Sequence, residues 1–390
     1  MKKLLTIYTL SNLSSWLDFL AVTLIVSYSM EAGVFTVALA SIALVAPQFL
    51  FSRLFSHQYF TSNIRRTLTV TLLLRALITS SLLFIDSPAL LLLIILPRSL
   101  LLGFFEPMFA ALISRMQADT KKLASFTSLI NTGSKLVAPA VGGAIAASYG
   151  ENIVFGLGAF MCLLSGILTL IFVQDLNKLP SSIKEQHDSK DSMMPSKPPI
   201  SDPFYVNILI PSVIYYFMVF AVNNLFPYLL NYYGAPKSLL GYCLSAASLG
   251  NAIVGFSLLR LKTKFEDLPF VPLITIVIAT AFLVISFTIK SSMWVAIVIV
   301  FLMTGLFTAS MMILSSRKIF SSSEHSPSYA SSLQSIQSFT MMSSPILGAL
   351  LVTYFGEDIL MAFVSIVAIA LTLLYWGITA LKKSQRSRVV

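Results

Sequence analysis

The chain has 390 residues, of which 56% are hydrophobic and only 11% charged, where water-soluble domains typically carry ~25% charged residues. That composition, with a mean hydropathy of +0.85, excludes a soluble globular domain and places the chain in a bilayer. The formal net charge of +10 would suit a nucleic acid or an anionic surface, but the positions of the charges argue for topology instead.

Apolar stretches of about 20 residues, each long enough to cross ~30 Å of hydrocarbon at ~1.5 Å per residue, recur along the whole length. In chain order the predicted spans cover about residues 4–29, 34–56, 67–85, 89–113, 124–149 and 152–173, then 205–233, 238–259, 270–289, 293–315, 329–354 and 358–381. A segment that crosses alone must satisfy its own backbone, so each is expected to be a helix. The run LLLIILPRSLLLGFF at 91–105 does not alternate as a barrel strand would. The opening MKKLLTIYTL looks like a signal peptide, yet its apolar run continues to about Tyr28, contains Asp18 and has no small-residue cleavage site. It reads as the first span, retained.

Residues 174–204, rich in Ser, Lys, Asp and Pro, form the one long polar stretch. The expected organisation is a bundle over 1–173, a cytoplasmic linker over 174–204, and a second bundle with a cytoplasmic tail over 205–390. With the N-terminus inside, the inner segments hold 21 of the 26 Lys and Arg, the outer loops only Lys237 and Lys290, and the spans Arg75, Arg98 and Lys135. That asymmetry is the positive-inside rule, which puts both termini in the cytoplasm and leaves no reason to invoke nucleic acid.

Cys162 and Cys243 fall within spans and behave as small apolar residues rather than a disulfide. His57, His187 and His325 lie in three different loops, so no metal is expected, and no phosphate-cradling glycine loop occurs. No cofactor is implied, and no arrangement of nucleophile and base suggests an enzyme.

The two halves repeat. A slide of 206 residues brings KLVAPAVGGAIAASYGE, at 135–151, onto MMSSPILGALLVTYFGE, at 341–357. It pairs Asn131 with Gln337, Lys135 with Met341, Pro139 with Pro345, Gly142 with Gly348, Gly150 with Gly356 and Glu151 with Glu357. Two six-helix halves with a site between them near the midplane is a transporter architecture.

Three local patterns carry a resemblance. RSLLLGFFEP places Arg98 five residues before Gly103; APAVGG covers Ala138 to Gly143; and HQYFTSNIRR, at 57–66, ends on Arg65 and Arg66. On these the chain resembles the major facilitator superfamily over essentially its full length: the fourth-helix arginine motif, the G-P-x-x-G-G signature of proton-coupled exporters with Ala138 in place of its first glycine, and the G-x-L-A-D-R-x-G-R-R loop. In that loop Thr61 replaces the aspartate, which puts its charge latch in doubt. SNLSSWLDFLAVTLI in the first span is most similar to the drug, macrolide and enterobactin exporters, and secondarily to lysophospholipid transporters. The resemblance implies an all-α membrane protein of twelve transmembrane helices in two pseudo-symmetric bundles. It also implies a monomer of a bacterial inner membrane, with Pro139, Gly142, Gly143, Arg65 and Arg66 in gating.

A charge at mid-bilayer costs ~2.5–3.5 kcal/mol on insertion scales. The spans hold five, all in the first half: Asp18, Arg75, Arg98, Glu106 and Lys135. At ~1.5 Å per residue, Asp18 lies ~16 Å and Arg98 ~13 Å below the outer face, so the two pair if the first and fourth helices are neighbours. Lys135 and Glu106, ~16 Å and ~10 Å above the inner face, form the second expected pair. Arg75, ~10 Å from that face, is expected to snorkel to the interface.

Ser11, Ser14, Ser15 and Asp18 form a stripe that suits a helix facing a wet cavity. Asp18 is the first-choice proton acceptor, Glu106 the second, with Arg98 as partner and Lys135 meeting an anionic group or neutralising an acid. The second half offers neutral polar residues, Asn223, Asn224, Gln334 and Gln337, as a substrate surface, with Tyr215, Tyr216, Phe217 and Met218 either lining a greasy pocket or simply packing. The expected activity is export of an amphipathic small molecule, a drug, siderophore or metabolite, against proton entry. A lysolipid flippase, with Arg98 and Lys135 on the phosphate, and a non-transporting membrane sensor are the alternatives.

Overall fold

A computed structural model describes residues 2–30, 32–52, 64–115, 120–172, 205–260, 270–321 and 326–387. Thr61, the loop around it, His57, His187, His325 and the linker lie outside the described residues.

Among the described residues the chain is helical throughout. α1 (Lys2–Leu24) ends in a π-helical turn, Ile25–Ser29. It is followed by α2 (Val34–Ser52), α3 (Ile64–Ser81), α4 (Pro88–Arg115), α5 (Thr120–Tyr149) and α6 (Glu151–Phe172). The second set is α7 (Ile210–Tyr232), α8 (Lys237–Arg260), α9 (Phe270–Lys290), α10 (Trp294–Ser321), α11 (Ser326–Phe355) and α12 (Leu360–Ser387). Each predicted span coincides with one of them.

Ten of these helices are long and apolar enough to cross a bilayer, and α2 contributes a shorter apolar stretch, Val34–Pro47. α5 is not among the ten, because Thr127, Ser128, Asn131, Thr132, Ser134 and Lys135 dilute its apolar residues. The fold is the twelve-helix fold expected from the sequence.

The chain divides into two compact units, Met1–Lys190 with Pro236–Ser245, and Asp191–Ala235 with Ala246–Val390. The first residues of α8 therefore group with unit 1. Inside unit 1, α6 packs on α1 and α3, α5 on α1, and α4 on α2 and α3. Inside unit 2, α11 packs on α7, and α12 and α10 on α9. Lipid tails are as apolar as leucine, so helices in a bilayer associate by close packing and buried polar contacts. Unit 1 has both: Tyr8 stacks on Phe109 at 4.7 Å beside Leu68, Leu72 and Phe105, while Ser165 Oγ donates to the Ile7 carbonyl at 3.0 Å.

The sequence repeat is a structural one. α4 and α10 begin at Pro88 and Trp294, and α5 and α11 end at Tyr149 and Phe355, each pair 206 residues apart. α5 and α11 end alike, on Gly150 and Gly356, each at φ 87°. Their N–H groups close the last turn on Ala146 and Val352 at 3.0 and 2.8 Å. A left-handed residue that satisfies the final carbonyls is a glycine's position, which explains why both copies of the repeat keep one.

Candidate functional site

The charges of unit 1 meet inside it. Asp18 on α1, Arg75 on α3 and Arg98 on α4 are 0%, 0% and 1% exposed. Arg98 Nη2 donates to Asp18 Oδ2 at 2.7 Å, and Arg75 Nη2 donates to the same oxygen at 3.3 Å. Thr79 Oγ1 reaches it at 3.4 Å, and Arg75 Nη2 also donates to Ser15 Oγ at 2.9 Å. A carboxylate with two guanidiniums leaves a formal charge of +1 in a sealed interior. Asp18 Oδ1, Arg75 Nε and Nη1 and Arg98 Nε have no hydrogen-bond partner among the described residues.

Two expectations change here. Arg75 does not snorkel: a carboxylate in reach, with Ser15 beside it, outweighs the interface for a guanidinium that needs acceptors. Nor does the serine stripe face a wet cavity. Ser11 and Ser14 are buried, and Ser14 Oγ donates at 2.8 Å to the carbonyl of Gly158 on α6. The stripe is packed between helices, Ser14 against α6 and Ser15 beneath Arg75 of α3. The Asp18–Arg98 pair forms as expected, with Arg75 as a third member that position along the span did not reveal.

Gly158 is the other missed residue. A Cβ built on it would stand 2.1 Å from Asp18 Oδ1. It belongs to a buried face of α6 that also carries Cys162, Ser165, Gly166 and Thr169. Cys162 donates from this face to the Leu72 carbonyl of α3 at 3.3 Å. The three-to-four-residue recurrence of small residues was the available sequence signal.

The remaining candidates are scattered. Glu106 sits on α4 with its side chain outside the description, so the Lys135–Glu106 pair is outside it too. Lys135, half-buried on α5, holds Nζ 5.2 Å above the Trp16 ring of α1. Arg65 donates to the Leu170 carbonyl of α6 at 2.6 Å, and Arg66 is exposed.

The glycines of α5 are contact points. At Gly142 a Cβ would come within 2.9 Å of Leu17 and Leu20 of α1, and at Gly143 within 3.1 Å of Gly241 Cα. A Cβ on Gly241 would lie 2.1 Å from the Pro139 carbonyl. In unit 2, Asn223 and Gln334 are exposed, Asn224 and Gln337 half-buried. Tyr215, Tyr216 and Met218 are packed into the unit, with Tyr215 OH donating to Thr308 Oγ1 at 3.0 Å. Phe217 borders an apolar groove with Leu347, Leu351 and Tyr354.

A second polar feature follows the paired glycines. Glu151 Oε1 accepts Lys237 Nζ at 2.5 Å and Ser29 Oγ at 3.0 Å, all within unit 1. In unit 2, Tyr228 OH donates to Glu357 Oε1 at 3.0 Å. Its neighbour Asp358 takes Lys290 Nζ at 3.0 Å and the Tyr233 hydroxyl. The bond from Tyr233, then that from Lys290, holds the Asp358 carboxyl below its ordinary range. Burial, followed by the bond to Asp358, pushes the Tyr233 phenol up. The two outer-loop lysines predicted from charge counting are thus both paired with acids.

Residues 208–389 match the sequence profile described as Major Facilitator Superfamily. No curated protein matches the chain. Among solved structures, a crystal structure of a mutant of the peptide transporter POT superposes with TM-score 0.70 at 14% identity, covering 96% of this chain and 94% of that one. A mutant of the nucleoside transporter NupG gives 0.64 at 12%, covering 96% and 98%, and a D-xylose-proton symporter 0.65 at 13%, covering 96% and 97%. At these identities the likeness is one of fold.

Proposed function

We propose that this chain is a proton-coupled secondary active transporter of the major facilitator superfamily, with Asp18 as the group that takes the proton. The observation that carries the reading is the buried Asp18–Arg75–Arg98 cluster. A mid-span charge is costly enough to mark a functional group by default, and here one carboxylate oxygen holds α3 and α4 to α1. Protonating Asp18 removes the negative charge that offsets two guanidiniums, so proton binding and the packing of three helices are coupled. Solved structures of the same fold include a D-xylose-proton symporter, which supports proton coupling in general terms.

The direction we favour is export of an amphipathic small molecule by antiport in a bacterial inner membrane, with both termini cytoplasmic. APAVGG on α5 and the lysine and arginine asymmetry support it. Purified protein in liposomes with an imposed pH gradient, offered dyes, siderophores and lysolipids, tests the reading. One compound should move in a gradient-dependent way and drive proton flux, and Asp18→Asn should abolish the proton flux. Unchanged coupling in Asp18→Asn removes Asp18 from the mechanism.

A further inference from the structure

We infer that Gly158 is a positioning residue for Asp18: the bare Cα face of α6 is the seat against which the carboxylate is held for its two arginines. This deepens the proton-coupling reading and, for its functional consequence, rests on it.

The argument is steric. The position a Cβ would take on Gly158 is 2.1 Å from Asp18 Oδ1 and 3.2 Å from its Cγ. An acid side chain that collides with a new methyl group ordinarily swings aside at little cost. Asp18 is not free to do so, because its other oxygen is fixed by Arg98 at 2.7 Å, Arg75 at 3.3 Å and Thr79 at 3.4 Å. α6 cannot easily retreat either, since the Gly158 carbonyl accepts Ser14 Oγ at 2.8 Å, one helical turn before Asp18. The carboxylate is clamped between donors on one side and a glycine on the other, and every atom of the clamp is buried. Interiors packed this tightly move between discrete arrangements rather than deform continuously. A side chain at 158 therefore forces the carboxylate out of the reach of Arg98.

Gly156 supplies the control. It lies on the same helix, and a Cβ there meets nothing within 4 Å. Alanine is the better helix former at either site, so Gly156→Ala should melt at or above the wild-type temperature. Gly158→Ala should melt at least several degrees lower, and the pH midpoint of its substrate-driven proton flux should move by a unit or more, or the flux should vanish. If Gly158→Ala melts with Gly156→Ala and keeps the wild-type pH profile, the inference is overturned.

Should Gly158→Ala not accumulate, Asp18→Ala with and without Gly158→Ala decides. With the carboxylate gone, alanine at 158 should cost nothing further, and an additional loss in the double variant refutes the contact. A melting difference between the two glycine variants, in a protein that shows no proton flux even as wild type, keeps the seat and discards the transport reading.

Discussion

Arg75 donates to Asp18 Oδ2 from 3.3 Å, the same oxygen that Arg98 holds at 2.7 Å. One acceptor serves two cations, and the three variants of the cluster are therefore not equivalent. Removing one partner of a buried pair costs about 3–5 kcal/mol, because it strands a charge. Asp18→Asn strands two and should cost at least that. Arg98→Gln leaves Asp18 with its more distant partner, and Arg75→Gln leaves a neutral pair, so that its cost should be about 1 kcal/mol, the scale of an ordinary hydrogen bond. Melting temperatures in detergent should rank Asp18→Asn lowest, Arg98→Gln next and Arg75→Gln nearest wild type. A variant series in which Arg75→Gln melts lowest contradicts the geometry.

At the contact of α5 with the start of α8, Gly241→Ala would thrust a methyl to 2.1 Å from the Pro139 carbonyl, a backbone atom. Overpacking of that kind costs about 1–3 kcal/mol. Gly143→Ala faces its nearest atom at 3.1 Å and should cost less. Gly255→Ala, on α8 with nothing within 4 Å, should be neutral or stabilising. The three unfolding temperatures check the order.

The Glu151–Lys237 pair should be worth more than the Lys290–Asp358 pair. The Glu151 and Lys237 side chains are 9% and 33% exposed, against 44% for Lys290 and 57% for Asp358. Exposed pairs measure about 0.2–1 kcal/mol, whereas closely coupled residues reach about 0.5–3 kcal/mol. Double-variant cycles with Glu151→Gln and Lys237→Met, and with Asp358→Asn and Lys290→Met, should give the larger coupling, and the weaker salt dependence, at Glu151.

Asp358 gives a pH dependence of known sign. Its carboxyl is held low, so the stabilisation is fully present above the ordinary carboxylate value of ~4 and is lost as the pH falls through the lowered one. The Tyr233 phenol is held high, so its share persists below ~10 and is lost as the pH rises through the raised value. Tyr233→Phe should therefore lower the melting temperature at pH 7, with the gap to wild type closing under acid conditions below that carboxylate range. A gap that stays constant down to pH 2 excludes the bond as its source.

The spans were legible because bilayer thickness sets a length and an unpaired backbone forbids anything but helix, so apolar runs between charges define the elements without reference to one another. The repeat was legible for a similar reason: Gly150 and Gly356 each close a helix, a local requirement that survives in each copy. The Asp18–Arg98 pair was legible as two costly charges at similar depth. Arg75 was not, since depth along one helix says nothing about rotation, and rotation toward α1 is what turned a snorkelling cation into a second partner.

Gly158 shows the same limit more sharply. Nothing in GLGAF at 156–160 distinguishes the first glycine from the second, yet one faces open space and the other faces a carboxylate. The sequence by itself determined the solvent, the number of spans, the duplication and the presence of intramembrane charge in the first half, because those follow from transfer free energies and helix length. Which side chains meet, and that the serine stripe lies between helices rather than along a wet wall, only the packing of α1, α3, α4 and α6 decided. Contacts between helices depend on rotation and crossing, and neither is encoded in any single stretch of chain.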